Sequence, residues 1–110
     1  MSKQTILKQI EQMLENDNEL TIAHELPFEI GKAYFIRTVT YFATGRVKAI
    51  VGKFLVLEEA AWIADTGRFS DAIAKGVLSE VEPIEVEMFI NTDSITDAFY
   101  WNHKLPRDQK

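Results

Sequence analysis

Cysteine is absent from these 110 residues. No disulfide framework exists, and no thiolate metal site can be built. Histidine occurs twice, as His24 and His103, far apart and with no partner at ligand spacing. Neither a metal nor any other cofactor is expected. Long apolar runs are missing too, and none approaches the roughly 20 residues that span a bilayer. The opening stretch, MSKQTILKQIEQML, is polar and amphipathic, without the unbroken apolar stretch of a signal peptide. Basic residues are the minority, 12 Lys and Arg against 17 Asp and Glu, for a formal net charge of -5. The average field repels polyanions, so phosphate binding would depend on local clusters of cations. Together these absences favour a cytoplasmic protein with no membrane partner.

What is present belongs to an ordinary globular chain: 46% of residues are hydrophobic and 26% charged. The length predicts one domain, residues 1–110, with one modest core. Residues 3–15 read as a helix, because Ile6, Leu7, Ile10, Met13 and Leu14 fall on one stripe. A three-strand antiparallel meander is expected over 32–63. "KAYFIRTVTYF" (32–42) is rich in aromatic and β-branched residues. Both of its alternating faces carry apolar side chains, which predicts partial cover on both sides. "ATGR" then reads as a turn with Gly45 at positive φ, followed by the strand "RVKAIV", a Gly52-Lys53 hairpin and the strand "FLVLEEAAWI".

After Ile63 the period changes to that of a helix. Phe69, Ala72, Ile73 and Val77 share a face, Thr66 is placed to cap a start near Arg68, and Gly76 stands where a left-handed C-terminal residue belongs. Residues 64–83 are thus expected to form a helical insertion. "IEVEMFI" (84–90) and "ITDAFYW" (95–101) read as two closing strands, and 102–110 as a polar tail. The fold class is mainly β with α additions: a small, strongly bent five-strand antiparallel barrel, an N-terminal helix, and the insertion between strands three and four.

Two kinds of chemistry deserve weighing. Asp65-Thr66-Gly67 after an apolar run resembles the catalytic tripeptide of retropepsin-type proteases, which would make the chain half of a dimeric aspartic protease. Arg68 replaces that family's small residue, and no glycine-rich flap follows. Asp65 reads instead as a cap for the helix behind it. Separately, Arg37, Arg46, Lys48 and Lys53 cluster on the early strands with Tyr34, Tyr41 and Phe54. Such a set can serve as a basic-aromatic platform for single-stranded nucleic acid.

"TGRVKAIVGKFLVLEEA" (44–60) and "MFINTDSITDAF" (88–99) resemble the two signature stretches of Sm-like proteins, and the same meander is shared by SH3-like barrels. The resemblance spans about half the chain. It implies assembly by pairing of closing strands between subunits, and it implies an RNA site to which Asn91 would contribute. The aromatic final strand favours assembly independently, since an unprotected strand edge invites pairing. The expected interface residues are Met88, Ile90, Phe99, Tyr100 and Trp101. The expected nucleic-acid contacts are Arg37, Arg46, Lys48, Lys53 and Asn91. With no credible catalytic set, the expectation is a non-enzymatic structural or scaffold component that forms homo-oligomers or binds a protein partner, with RNA binding as the alternative.

Overall fold

The computed structural model describes residues 26–110, and the expected helix over 3–15 lies outside them. Six strands form one antiparallel sheet: β1 (Ala33–Thr38), β2 (Phe42–Val51), β3 (Phe54–Asp65), β4 (Glu80–Pro83), β5 (Met88–Asn91) and β6 (Ile95–Tyr100). Helix α1 (Phe69–Lys75) lies between β3 and β4, and one 3-10 turn, Thr92–Ser94, links β5 to β6. The strand order is β4-β3-β2-β1-β6, with β5 paired to β3 as well. The sheet is therefore not closed into a barrel, and it has six strands where five were expected.

Strand β3 carries two partners on one edge. β5 pairs with Phe54–Leu57 and β4 with Ala61–Asp65. Between them the pairing with β2 slips by one residue, and Glu59 sits there at φ 50. Such a bulge leaves one residue unpaired and bends its strand, so the two halves of β3 diverge. A second slip falls at Lys48 on β2. The Ala60 carbonyl freed at the first bulge accepts from the Ile84 amide at 2.8 Å and from Arg107 Nη1 at 2.7 Å.

Both faces of the sheet are covered in part, as the alternation in 32–42 predicts. On one face Tyr34, Ile36, Ala43, Val47, Leu55, Leu57, Ala60 and Ile90 form the first core. On the other, Phe35, Ala61, Ile63 and Val81 pack beneath Ala72 and Leu78, with Trp101 and Leu105 completing a second.

The structure corrects several sequence expectations. The run 32–42 is not one strand. The Thr38 hydroxyl donates to the Tyr41 carbonyl at 2.7 Å and accepts from the Tyr41 amide at 2.9 Å, closing a turn after β1. Phe42 consequently begins β2 and joins the face of Phe35. Gly45 is no turn residue: it lies inside β2 opposite Tyr34, and its φ is not positive. A Cβ there would meet Leu57 Cβ and Cδ1 at 3.0 Å, so the missing side chain lets β3 approach. The Gly52-Lys53 hairpin is present, with Gly52 at φ 59. The segment 64–83 is helical only over Phe69–Lys75, and it also supplies β4. The strand expected over 84–90 shrinks to Met88–Asn91. Residues 102–110 are no loose tail, because Leu105 is buried and the Lys110 backbone pairs with that of Val81.

Candidate interaction surface

The second face is covered at one end and bare at the other. α1 and the C-terminal segment cover Phe35, Ile63 and Val81, but nothing described lies over the β2-β3-β5 end. Antiparallel partners point the same way, so register alone assembles this surface. Ala49 stands opposite Val56, Val51 opposite Phe54, and Val56 opposite Phe89. Their inward neighbours Ile50, Leu55 and Ile90 belong to the first core. Val51 is 63% exposed, Phe54 45% and Phe89 62%. Apolar side chains concentrated on one open sheet face mark an interaction surface more than scattered ones do.

Ion pairs border this patch. Lys53 Nζ lies 3.1 Å from Asp93 Oδ2, Lys48 pairs with Glu87, and Arg46 pairs with Glu59. Glu87 hydrogen-bonds Lys48 and raises the ammonium pKa above its ordinary value. Arg46, Lys48, Lys53 and Asn91, all expected as nucleic-acid contacts, are thus gathered around Phe54 and Phe89. Each is already engaged. Asn91 Oδ1 accepts from the Asp93 amide at 2.9 Å and so caps the 3-10 turn. Arg37, the fifth candidate, is elsewhere and forms two hydrogen bonds to Asp97. Tyr34 and Tyr41 pack with the first core, away from the patch.

The expected interface residues separate. Ile90 and Trp101 are buried within the subunit, and Met88 and Phe99 are half-buried against its two cores. Tyr100 is exposed, stacks on Tyr34 with ring centroids 5.2 Å apart, and donates from its hydroxyl to Glu29 at 2.8 Å. That hydrogen bond to a carboxylate raises the Tyr100 phenol pKa. Phe89, between two named candidates, is the outward residue that sequence reading missed. Its signal was the alternation itself, which sets it with Glu85 and Glu87 on the solvated side.

At Asp65 the local hydrogen bonds are those of a turn. Its carboxylate accepts from the Gly67 amide at 2.7 Å, and its carbonyl accepts from the Ser79 amide at 3.0 Å. It does not cap α1, and neither does Thr66. The N-cap of α1 is Arg68, which makes no side-chain capping bond, while Gly76 takes the left-handed C-terminal position expected of it. Among the described residues no group of three or more His, Asp or Glu is placed to hold a metal ion. No helix among them is long and apolar enough to cross a membrane. No family model matches the sequence, and no curated protein does.

Proposed function

We propose that this protein is a non-enzymatic β module that self-associates and serves as a structural or scaffold component. The observation that carries the reading is the apolar sheet face of Val51, Phe54, Val56 and Phe89, left bare where the rest of that face is covered. A second copy is the occupant that fits it. The chain carries a net charge of -5, which opposes self-association on average. Around this patch, however, Arg46, Lys48 and Lys53 each have a carboxylate partner, which reduces the like-charge repulsion between two copies meeting there. Strand β6, last in the pairing order, offers a further edge for sheet extension. The bulged β3 and the order β6-β1-β2-β3-β5 support kinship with Sm-like or SH3-like small barrels.

Light scattering at high micromolar concentration tests this reading. The expected mass is a multiple of 12.6 kDa, and the double substitution Phe54→Ser with Phe89→Ser reduces it to the monomer. A wild-type chain that stays strictly monomeric removes the proposal. One observation favours a second reading, an RNA-binding face: Arg46, Lys48, Lys53 and Asn91 converge on two exposed aromatic rings. Titration with short labelled RNA at low salt decides between them, because a nucleic acid would have to displace three intramolecular carboxylates.

A further inference from the structure

We propose that a second surface, a groove centred on Trp62, binds a basic peptide segment of a protein partner in which Lys or Arg flanks an apolar residue. The groove is a cavity of about 420 Å³ lined by Thr40, Tyr41, Trp62, Ile84 and Met88. It lies on the opposite face from the Phe54–Phe89 patch. Ala61 and Ile63 pack into the second core, so Trp62, between them, points the other way beside its cross-strand partner Ala43. The indole is 46% exposed although its neighbours on both sides are buried.

Charge identifies the occupant. Glu82 stands directly opposite Trp62 in the β3-β4 pairing and therefore shares its face. Glu80 and Glu85 flank it along the chain, and all three are exposed. Among the described residues none of the three has a cation within salt-bridge distance, in contrast to Glu59, Glu87, Asp93 and Asp97. Gln109 donates to Glu82 at 3.1 Å but brings no charge. Arg107 and Lys110 are nearby cations. The Arg107 guanidinium donates to the Ala60 and Ile84 carbonyls at 2.7 and 3.0 Å, and the Lys110 ammonium donates to the Leu78 carbonyl at 2.9 Å, so neither pairs with the three glutamates. A half-exposed indole beside three carboxylates that hold no ion pair attracts ammonium or guanidinium groups by cation–π and Coulomb terms together. Tyr41, Ile84 and Met88 then supply apolar contact for the residue between the cations. The same surface repels an acidic segment, and it disfavours a second copy of this acidic chain.

The test uses the full chain and two fluorescein-labelled probes, the capped pentapeptide Lys-Leu-Arg-Leu-Lys and its counterpart with Glu at each basic position. Fluorescence anisotropy at low salt is expected to show saturable binding of the basic probe and none of the acidic one. Trp62→Ala weakens that binding about tenfold, in the range of a central aromatic contact. Glu82→Lys, at an exposed position that leaves the core intact, abolishes it. Absence of saturable binding, equal binding of both probes, or unchanged affinity in both variants would each overturn the proposal. So would a drop in native mass on Trp62→Ala, which assigns the groove to a second copy. NOEs from the indole to Ile6, Leu7 or Ile10 of the same chain would make it an internal site and overturn it as well. Because Phe54 and Phe89 lie on the other face, loss of self-association leaves this outcome unaffected.

Discussion

Arg37 and Asp97 stand directly opposite one another on β1 and β6, and Arg37 Nε lies 2.7 Å from Asp97 Oδ1. A second hydrogen bond from the same guanidinium completes a two-pronged grip. The guanidinium carbon also lies 4.5 Å from the ring centroid of Phe69 and 5.6 Å from that of Phe99. One residue thus ties α1, β1 and β6 together, which gives Arg37 a structural task.

The pair makes stability depend on pH. Hydrogen bonding from Arg37 holds the Asp97 carboxyl below its ordinary 3.8. The unfolded chain therefore takes up this proton first as pH falls. The stabilisation is complete above the ordinary value and disappears as pH drops through the lower folded value. Raising the pH costs nothing here, because the same pairing raises the arginine pKa further. With the side chains 32% and 40% exposed, the contribution is at most about 1 kcal/mol. Urea unfolding of Asp97→Asn at pH 7 and pH 3 checks this, since the substitution should cost less stability at the lower pH.

Gly45→Ala is expected to destabilise by about 1 to 3 kcal/mol, the range for overpacking a filled core. Backbone strain plays no part, because Gly45 is not at positive φ. The cost comes from forcing Leu57 away from a new methyl group at 3.0 Å. Gly45→Ala in a Leu57→Ala background should lose much of that cost, and a double-mutant cycle by chemical denaturation reads the difference.

Thr44→Val is expected to stabilise. The Thr44 hydroxyl is fully buried and has no hydrogen-bond partner among the described residues. Valine has nearly the same shape and removes the desolvated hydroxyl, a gain of about 1 kcal/mol. A higher midpoint in thermal unfolding is the expected result, and a lower one would mean that the hydroxyl has a partner.

Leu105→Ala should cost about 2 to 3 kcal/mol, as for other buried leucines. It removes the side chain that closes the second core together with Trp101. Arg107→Ala should cost about 1 to 3 kcal/mol by withdrawing two hydrogen bonds from backbone carbonyls. If residues 102–110 were a free tail, neither substitution would move the midpoint of denaturant unfolding.

The sequence was most informative where a repeating pattern met one stopping residue. The aromatic, β-branched alternation that opens 32–42 announced β1 and its cover on both faces, and the Gly52-Lys53 turn fixed the β2-β3 hairpin. It was least informative where one side chain redirects the chain. Nothing in the composition of "TVTYF" signals that the Thr38 hydroxyl will close a turn and hand Phe42 to the next strand. The candidate surface was half legible. Its charged members were named, but Phe89, which the alternation of 84–90 turns outward, was not.

Local chemistry determined which segments extend and which coil, because φ/ψ preference and side-chain period act over a few residues. Tertiary structure alone decided which carboxylates Arg37, Arg46, Lys48 and Lys53 meet, where β3 bends, and that the closing nine residues fold back over Trp101. Those outcomes depend on contacts between positions tens of residues apart, such as Arg107 with Ala60. Their energies exist only once the sheet has brought the partners together.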